Sequence, residues 1–474
     1  MLTPESGAPP YPTPQKSQTL WGFAPAWPRT GRLMDELLGI PFDELDGLAE
    51  SLEHAAPADE PPPQAREVRD DLTSDNASTS THRLHGAGGM AGLAANVVTA
   101  DLGICVRDTS RAGLGLFATR AYARGEVLFT ERPQITVASS TSSRHCGSCM
   151  RAMIACPAEL PHANCWPVTC RATKCPRCGT LYCCTTCAAT AEANGHRRLC
   201  EAIASGAVAT FEQKCREQGT GLSADPRLAV VSAKLVLAML AQLAACGDGS
   251  GADEASRFAH LADGCDEGGG AGSGASGGPA GAHTLAARLQ PLMRATLCLT
   301  DDESRLFDNH RVRGLLCAVS SNATWVQPVS SFADYVAASR SVRRRDERGE
   351  TLRQLEAHCA ALRARLPPEL LDGTERADEV ADVAYGARGA ALFVLQSKIN
   401  HSCRPCCKLV CAFTDATIDV VADADIGVGQ EITISYVSPA LDGARRRQML
   451  KASYGFSCAC EACAKELTGC GAYA

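Results

Sequence analysis

The amino-acid sequence predicts an α+β fold, and three stretches of the chain support that prediction. From Asp101 onward, alternating apolar residues separated by glycine turns are typical of short β-strands. Residues 145–200 hold closely spaced cysteine and histidine pairs, which indicate a segment that folds around zinc. The stretch from Leu228 to Cys246 is long, apolar and rich in alanine, but Lys234 interrupts it. It therefore predicts a buried helix rather than a membrane span.

Composition limits the classes of protein that the chain can belong to. A length of 474 residues with 45% hydrophobic residues suits a large globular core or several domains. The net charge of −7 argues against nucleic-acid binding through bulk electrostatic attraction. The 26 cysteines occur largely as spaced pairs in a long chain, which indicates zinc and a reducing compartment rather than a disulfide scaffold. Residues 1–28 lack a secretory signal, so we expect cytoplasmic or nuclear localisation, or both, with a transit peptide left open.

Several low-complexity segments interrupt the predicted globular part. Residues 1–100 are rich in proline, serine, glycine and alanine, and we expect most of them to lack fixed structure. Within them, residues 32–54 form either a weakly helical tail or an amphipathic helix that docks on a partner. Residues 247–282 are predicted to be a flexible glycine-rich insertion. The arginine triplet 343–345 indicates a solvated helix face rather than a nucleic-acid contact.

Eight potential zinc ligands occur as four pairs in the middle of the chain. Two tetrahedral zinc ions need eight ligands, and cysteine with histidine is the set that structural zinc prefers. Because the segment has little core of its own, metal binding would supply most of its folding free energy. Spacing alone leaves open which pairs share an ion. The pairs are Cys146 and Cys149, Cys175 and Cys178, Cys183 and Cys187, and His196 and Cys200.

Near the C-terminus, three elements follow one another in an order that predicts an active site. The first is the polar turn 400–403, the second is the strand 431–436 that ends in Tyr436, and the third is the CxCxxC segment 458–463. Cys403 can supply a fourth thiolate to the three cysteines of that last segment. A zinc ion bound in this way would hold a C-terminal flap over the turn and over Tyr436.

These motifs resemble those of a known family. The block from Lys174 to Cys200 resembles a MYND zinc finger, while residues 111–120 and 125–133 resemble the start of a SET domain. The three C-terminal elements resemble its catalytic half and its post-SET flap. The chain is thereby identified as a member of the SET-and-MYND family of protein-lysine methyltransferases, similar to the subgroup without a C-terminal helical domain.

The resemblance implies a β-rich SET domain that is split by the MYND finger and a helical insert and closed by a zinc-binding post-SET flap. The implied parts are a largely disordered region 1–100, a SET N-terminal part 101–144, the MYND finger 145–200, a helical insert 201–312 that contains the glycine-rich stretch 247–282, a SET catalytic part 313–437 and a post-SET segment 438–474.

The resemblance also implies how the metal ligands are grouped into three zinc sites. Cys406 and Cys407 near the third site, and Cys184 beside the first, are alternative ligands that spacing disfavours. Most other cysteines are expected to be small buried apolar residues. The implied groups are Cys146, Cys149, Cys183 and Cys187; Cys175, Cys178, His196 and Cys200; and Cys403, Cys458, Cys460 and Cys463.

The implied cofactor is S-adenosylmethionine and the implied catalytic residue is Tyr436, whose hydroxyl would orient the lysine amine. A narrow apolar channel would favour the neutral amine by desolvation. Cys406 stands where the family's turn has asparagine after the proline, whereas Asn400, His401, Ser402, Cys403 and Pro405 match the family's turn. The implied cofactor-binding residues are Gly113, Leu114 through its main chain, Gly115, Asn322, Asn400, His401, Tyr436, Tyr454 and Phe456.

The resulting prediction is an S-adenosylmethionine-dependent protein-lysine N-methyltransferase that acts on histones or on ribosomal and other non-histone proteins. One alternative is a non-catalytic adaptor whose MYND finger binds proline-rich peptides. Another is a sequence-specific DNA-binding zinc protein, which the acidic charge disfavours. No membrane association is expected. The sequence does not select the substrate lysine or the number of methyl groups added.

Overall fold

The computed structural model describes residues 98–109, 112–139, 145–167, 172–218, 226–246, 282–300, 307–342, 348–365 and 384–469, together with 19–20, 83–84, 258, 261 and 380. The predicted amphipathic segment 32–54 and the arginine triplet 343–345 lie outside the described residues, as does nearly all of the glycine-rich stretch 247–282.

Short strands dominate the two ends of the described chain. They are β1 (Thr19–Leu20), β2 (Arg83–Leu84), β3 (Val98–Thr99), β4 (Ile104–Thr109), β5 (Gly113–Ala118), β6 (Val127–Glu131), β7 (Ile135–Ala138), β8 (Thr173–Lys174), β9 (Leu181–Tyr182), β10 (Thr324–Val326), β11 (Gly389–Leu392), β12 (Asn400–His401), β13 (Cys407–Val410), β14 (Ile418–Ala422) and β15 (Glu431–Ile434).

Helices occupy the region between these strands and the C-terminal segment. They are α1 (Thr185–Ala193), α2 (His196–Ala204), α3 (Ala207–Gln218), α4 (Pro226–Cys246), α5 (Ala282–Leu297), α6 (Asn309–Asn322), α7 (Ser331–Val342), α8 (Arg348–Arg365), α9 (Gly443–Tyr454) and α10 (Glu461–Gly469). Mixed helix and sheet confirm the predicted α+β class.

The strands form sheets that join distant parts of the sequence. The two five-stranded sheets have the orders β1-β13-β14-β6-β2 and β12-β15-β5-β4-β3, and a three-stranded sheet has the order β10-β11-β7. Strands from the start of the chain are thus hydrogen-bonded to strands near its end. Strand β14 pairs with β6, and β15 pairs antiparallel with β5. The apolar faces of these sheets share one core, which includes Ile104, Leu116, Phe393, Val420 and Ile432.

A second core lies among the helices. The predicted buried helix is confirmed, because α4 is buried around Leu235, Val236 and Met239. It packs with α5 and α6 and also against the three-stranded sheet, where Ala390 and Leu392 belong to the same core. This packing explains why an alanine-rich apolar helix is stable inside a globular protein. Among the helices that the structure describes, none has the length and apolar character needed to span a membrane.

Two small units flank these cores. In residues 145–200, the hairpin β8–β9 is followed by α1 and α2, with a small core around Cys146, Tyr182 and Cys183. At the C-terminal end, α9 and α10 pack around Cys403, Leu450 and Cys463. Asp442 caps the N-terminus of α9 by accepting a hydrogen bond from the Arg445 amide, and Gly455 in a left-handed conformation ends that helix.

Candidate active site and metal centres

The polar turn and the strand that ends at Tyr436 are held together by backbone and side-chain hydrogen bonds. Strand β12 is parallel to β15, with Asn400 opposite Thr433. The Tyr436 amide donates to Nδ1 of His401 at 3.0 Å, and the Tyr436 hydroxyl donates to the Ile399 carbonyl at 2.7 Å. Burial lowers the pKa of His401 to about 4, so its ring stays neutral and can accept this bond. The turn and Tyr436 therefore form one rigid unit.

Asn400 has a side-chain orientation that the surrounding protein fixes. Its amide nitrogen donates to the Leu114 carbonyl at 3.2 Å and to Oε1 of Glu431 at 2.9 Å. Both partners are acceptors, so the nitrogen must face them. Oδ1 is then the atom of this amide that remains available to accept a hydrogen bond from a ligand. Glu431 is the first residue of the strand 431–436, and its contact with Asn400 depends on the fold.

The glycines of β5 lie beside this asparagine. A Cβ atom built on Gly115 would lie 2.9 Å from Nδ2 of Asn400 and 2.9 Å from Oε1 of Glu431, so a side chain cannot be accommodated there. Gly113 has φ +70° and open space around it. A ligand can therefore approach the backbone at Gly113 closely. Open backbone beside an oriented amide acceptor fits the amino-acid or ribose groups of the cofactor that the family resemblance implies.

A cavity of about 320 Å³ lies next to the turn, with Ile399 and Pro405 among its lining residues. Tyr436 and Tyr454 line it with their ring centroids 4.8 Å apart, and Asn322 lines it from the end of α6. Desolvation raises the pKa of both tyrosine hydroxyls, so both keep their protons near neutral pH. Ile399, Ile434 and the tyrosine rings make much of the cavity wall apolar, while Lys408 and Asp423 form an ion pair at 3.0 Å among its lining residues.

The structure places most of the predicted site residues in two neighbouring groups. Asn322, Tyr436 and Tyr454 line the cavity, whereas Asn400 of the edge strand β12 lies against Leu114 and Gly115 of β5. His401 connects the two groups, with its ring centroid 5.3 Å from that of Tyr436 and 6.0 Å from that of Phe456. Leu114 is partly buried, and its carbonyl binds Asn400.

The twelve predicted metal ligands lie in three groups of four. Within each group the ligand atoms lie within 4.8 Å of one another. Zinc–sulfur bonds of about 2.3 Å give tetrahedron edges of about 3.8 Å. The Sγ–Sγ distance is 3.5 Å between Cys183 and Cys187 and 3.9 Å between Cys403 and Cys458, close to that value. The groups are Cys146, Cys149, Cys183 and Cys187; Cys175, Cys178, His196 and Cys200; and Cys403, Cys458, Cys460 and Cys463.

The cysteines that spacing disfavoured as ligands have other contacts. Cys184 caps α1, because its sulfur accepts a hydrogen bond from the Cys187 amide at 3.4 Å. Cys406 accepts from the Thr433 amide at 3.3 Å, and Cys407 lies among the residues that line the cavity. All three groups of four could hold zinc, since thiolate and imidazole are its preferred ligands.

Lys398 is a buried ionisable residue that sequence reasoning missed. It ends the turn Gln396–Lys398 next to the cavity and is only 6% exposed, and its ammonium makes no hydrogen bond or ion pair with any described residue. Burial lowers its pKa to about 8. Lys398 follows Gln396 and Ser397 and precedes Ile399 and Asn400, so the sequence around it gives no signal of burial.

We expect Lys398→Met to stabilise the protein at neutral pH. A pKa lowered from 10.5 to about 8 corresponds to a penalty of roughly 3 kcal/mol for the buried charge. This penalty is complete below pH 8 and disappears as pH rises toward 10.5, because the folded protein releases the proton first. The gain in unfolding free energy should therefore be largest at pH 7 and small at pH 10.5, as measured by denaturant titration. Exposed Lys214→Met is the control, and an equal gain at both pH values would contradict this account.

The chain is similar to proteins of the SET domain family. The SET domain family model matches residues 113–437. The protein-lysine N-trimethyltransferase SMYD5 of Homo sapiens is 27% identical over 396 residues, which cover 76% of this chain and 85% of that protein. SMYD5 of Danio rerio is 24% identical and covers 75% of this chain and 85% of that protein. The histone-lysine N-methyltransferase ATXR2 of Arabidopsis thaliana is 39% identical over 94 residues, which are 19% of this chain and 18% of that protein.

Proposed function

Because the chain belongs to the SET domain family and is an S-adenosylmethionine-dependent protein-lysine methyltransferase, we propose that it methylates lysines of histones or of ribosomal and other non-histone proteins. The observation that carries the proposal is the cavity in which Tyr436 and Tyr454 face each other next to the Asn400 turn. Its apolar wall suits the aliphatic part of a lysine side chain, and its tyrosine hydroxyls suit the amine.

The cofactor, when bound, supplies a methyl group on a positively charged sulfur. We assign its binding to the open backbone of Gly113, the main chain of Gly115, the Oδ1 acceptor of Asn400, and the side chains of Asn322, His401, Tyr454 and Phe456. Leu114 contributes through its main chain. The fixed orientation of the Asn400 amide and the open space around Gly113 support this assignment.

Tyr436 is the proposed catalytic residue. Its hydroxyl proton is used in the bond to the Ile399 carbonyl, so the hydroxyl oxygen is left as an acceptor for an N–H of the substrate amine. The apolar cavity wall favours the neutral form of that amine, because a free lysine with a pKa of about 10.4 is protonated at neutral pH. Holding the neutral amine in one orientation lowers the entropic part of the barrier.

The metal sites have a structural role in this proposal. We assign one zinc ion to each group of four ligands, two in the MYND finger and one in the post-SET flap. The flap zinc would join Cys403, three residues after Asn400, to the segment that follows Tyr454 and Phe456. It would thereby fix the cavity wall. The MYND finger offers a surface for proline-rich peptide partners, and the enzyme would act in the cytoplasm, the nucleus or both.

Radiolabelled S-adenosylmethionine tests the proposal. The purified protein is incubated with core histones, with ribosomal proteins and with a cell extract, in parallel with Tyr436→Phe. We expect labelled protein bands that are lost in the variant, and the set that is labelled identifies the substrate class. No transfer to any of the three, together with no cofactor binding by calorimetry, would replace this proposal with a non-catalytic adaptor.

A further inference from the structure

Glu131 is a buried carboxylate that binds the chain just before the Asn400 turn. It is the last residue of β6 and only 3% exposed. Its Oε1 accepts hydrogen bonds from the amides of Val394 at 2.7 Å and Leu395 at 2.9 Å, and its Oε2 accepts one from the amide of Gln396 at 2.9 Å. Three successive backbone donors therefore converge on one side chain, which is separated from them by about 264 residues of sequence.

The segment that Glu131 binds continues directly into the cavity wall. The Ile399 amide donates to the Gln396 carbonyl at 3.0 Å, which closes the turn Gln396–Lys398. The Ile399 carbonyl then accepts the Tyr436 hydroxyl. A continuous path of hydrogen bonds and one short turn therefore joins the Glu131 carboxylate to the hydroxyl of Tyr436.

The same segment is also fixed from its sides. The Gln396 side chain accepts a hydrogen bond from the Thr324 hydroxyl at 2.9 Å, and the Ser397 hydroxyl donates to the Val394 carbonyl at 2.8 Å. Thr324, Gln396 and Ser397 all line the cavity. A shift of the turn would therefore move one wall of the cavity and the Ile399 carbonyl together.

We propose that Glu131 is a positioning residue for methyl transfer. It fixes the segment 394–398, which contains the turn Gln396–Lys398, and through the Ile399 carbonyl it fixes the orientation of the Tyr436 hydroxyl. The inference rests on the proposed function, since Tyr436 is taken there as the catalytic residue. Glu131 itself lies behind the turn and is not among the residues that line the cavity.

A carboxylate suits this position because all three partners are donors. Two oxygens without hydrogens can accept all three bonds, whereas a glutamine amide would place its own N–H₂ against at least one backbone N–H. Burial raises the pKa of Glu131 to about 7, and the three amide donors act in the opposite direction by stabilising the ionised form. Burying an ionised carboxylate costs free energy, and the three hydrogen bonds from backbone amides offset that cost.

Glu131→Gln tests the proposal, with Thr130→Val as the matched control. Thr130 precedes Glu131 on β6, is also buried, and its hydroxyl bonds to Asp419 on β14 instead of to the turn. We expect amide hydrogen exchange at residues 394–399 to rise at least about tenfold in Glu131→Gln, since the amides lose a strong acceptor. The turnover number should fall about tenfold, with cofactor affinity within about twofold of wild type. Thr130→Val should leave exchange at 394–399 and turnover unchanged.

A double variant determines whether the effect passes through Tyr436. If Glu131 acts by orienting that hydroxyl, Glu131→Gln combined with Tyr436→Phe should lose no more turnover than Tyr436→Phe alone. Additive losses would overturn this route, as would wild-type turnover in Glu131→Gln. Unchanged exchange at 394–399 would overturn the anchoring role itself. If the wild-type protein transferred no methyl group, the proposed function would fail, while the exchange comparison would still decide whether Glu131 anchors the turn.

Discussion

Tyr436→Phe is expected to lower the turnover number about a hundredfold or more while cofactor affinity changes by less than about twofold. The phenylalanine ring keeps the contacts with His401 and Tyr454, whose ring centroids lie 5.3 and 4.8 Å from that of Tyr436. Only the hydroxyl is lost, and with it the oxygen that we assign to the substrate amine. Single-turnover methyl transfer and calorimetric cofactor binding measure the two quantities separately.

Tyr122→Phe is the matched control for this prediction. Tyr122 is a buried tyrosine whose hydroxyl also donates to a backbone carbonyl, that of Leu102, but it lies outside the cavity. Both variants lose one tyrosine hydroxyl bond, so their losses of unfolding free energy should be similar, at about 1 kcal/mol. If Tyr436→Phe lost cofactor affinity and stability as strongly as turnover, Tyr436 would be a structural residue.

Cys460→Ser is expected to remove one zinc ion per chain and to weaken cofactor binding at least about tenfold. Cys460 belongs to the group that includes Cys403 in the polar turn and Cys463 in α10. Tyr436, Tyr454 and Phe456 all pack against the small core around these cysteines. Loss of the metal would release the flap from the turn, so the aromatic wall of the site would lose its support.

Metal analysis by mass spectrometry and calorimetric cofactor titration provide the measurements for Cys460→Ser. Cys156→Ser is the control, because Cys156 is also partly buried but lies outside the three groups. It should keep the full zinc content and wild-type cofactor affinity. Full zinc content in Cys460→Ser would instead show that this cysteine is not a ligand, and unchanged cofactor affinity after zinc loss would separate the flap from the cofactor site.

The sequence was sufficient to predict the α+β class, the buried helix around Leu235 and the residues that meet near Tyr436. The fold class and the buried helix followed from local patterns such as apolar runs, whereas the residues near Tyr436 followed from the family resemblance of the motifs. The spacing of the cysteine and histidine pairs did not determine which pairs bind the same metal ion. The structure groups Cys146 with Cys183 across the intervening Cys175 pair, an arrangement that depends on the hairpin β8–β9 and the two helices after it.

The roles of Glu131 and Glu431 could not be predicted from local pattern. Glu131 binds residues 264 positions away at Leu395, and no sequence period connects an acid at the end of one strand with the amides of a distant turn. The burial of Lys398 could not be predicted either, since a lysine is normally solvated and its burial follows from the packing around it.

The pairing of early strands with late ones has a consequence for synthesis on the ribosome. Strand β5 pairs with β15, and Leu114 meets Asn400 across a sequence separation of 286 residues. The first half of the sheet therefore emerges with unsatisfied strand edges and must wait for nearly the whole chain. Residues 146–200, in contrast, contain all the ligands of two metal groups and can fold around zinc as soon as they emerge. The nascent chain thus carries a folded finger next to unpaired strands. The slow folding step is the pairing of early strands with late ones, and until then the exposed strand edges are prone to aggregation.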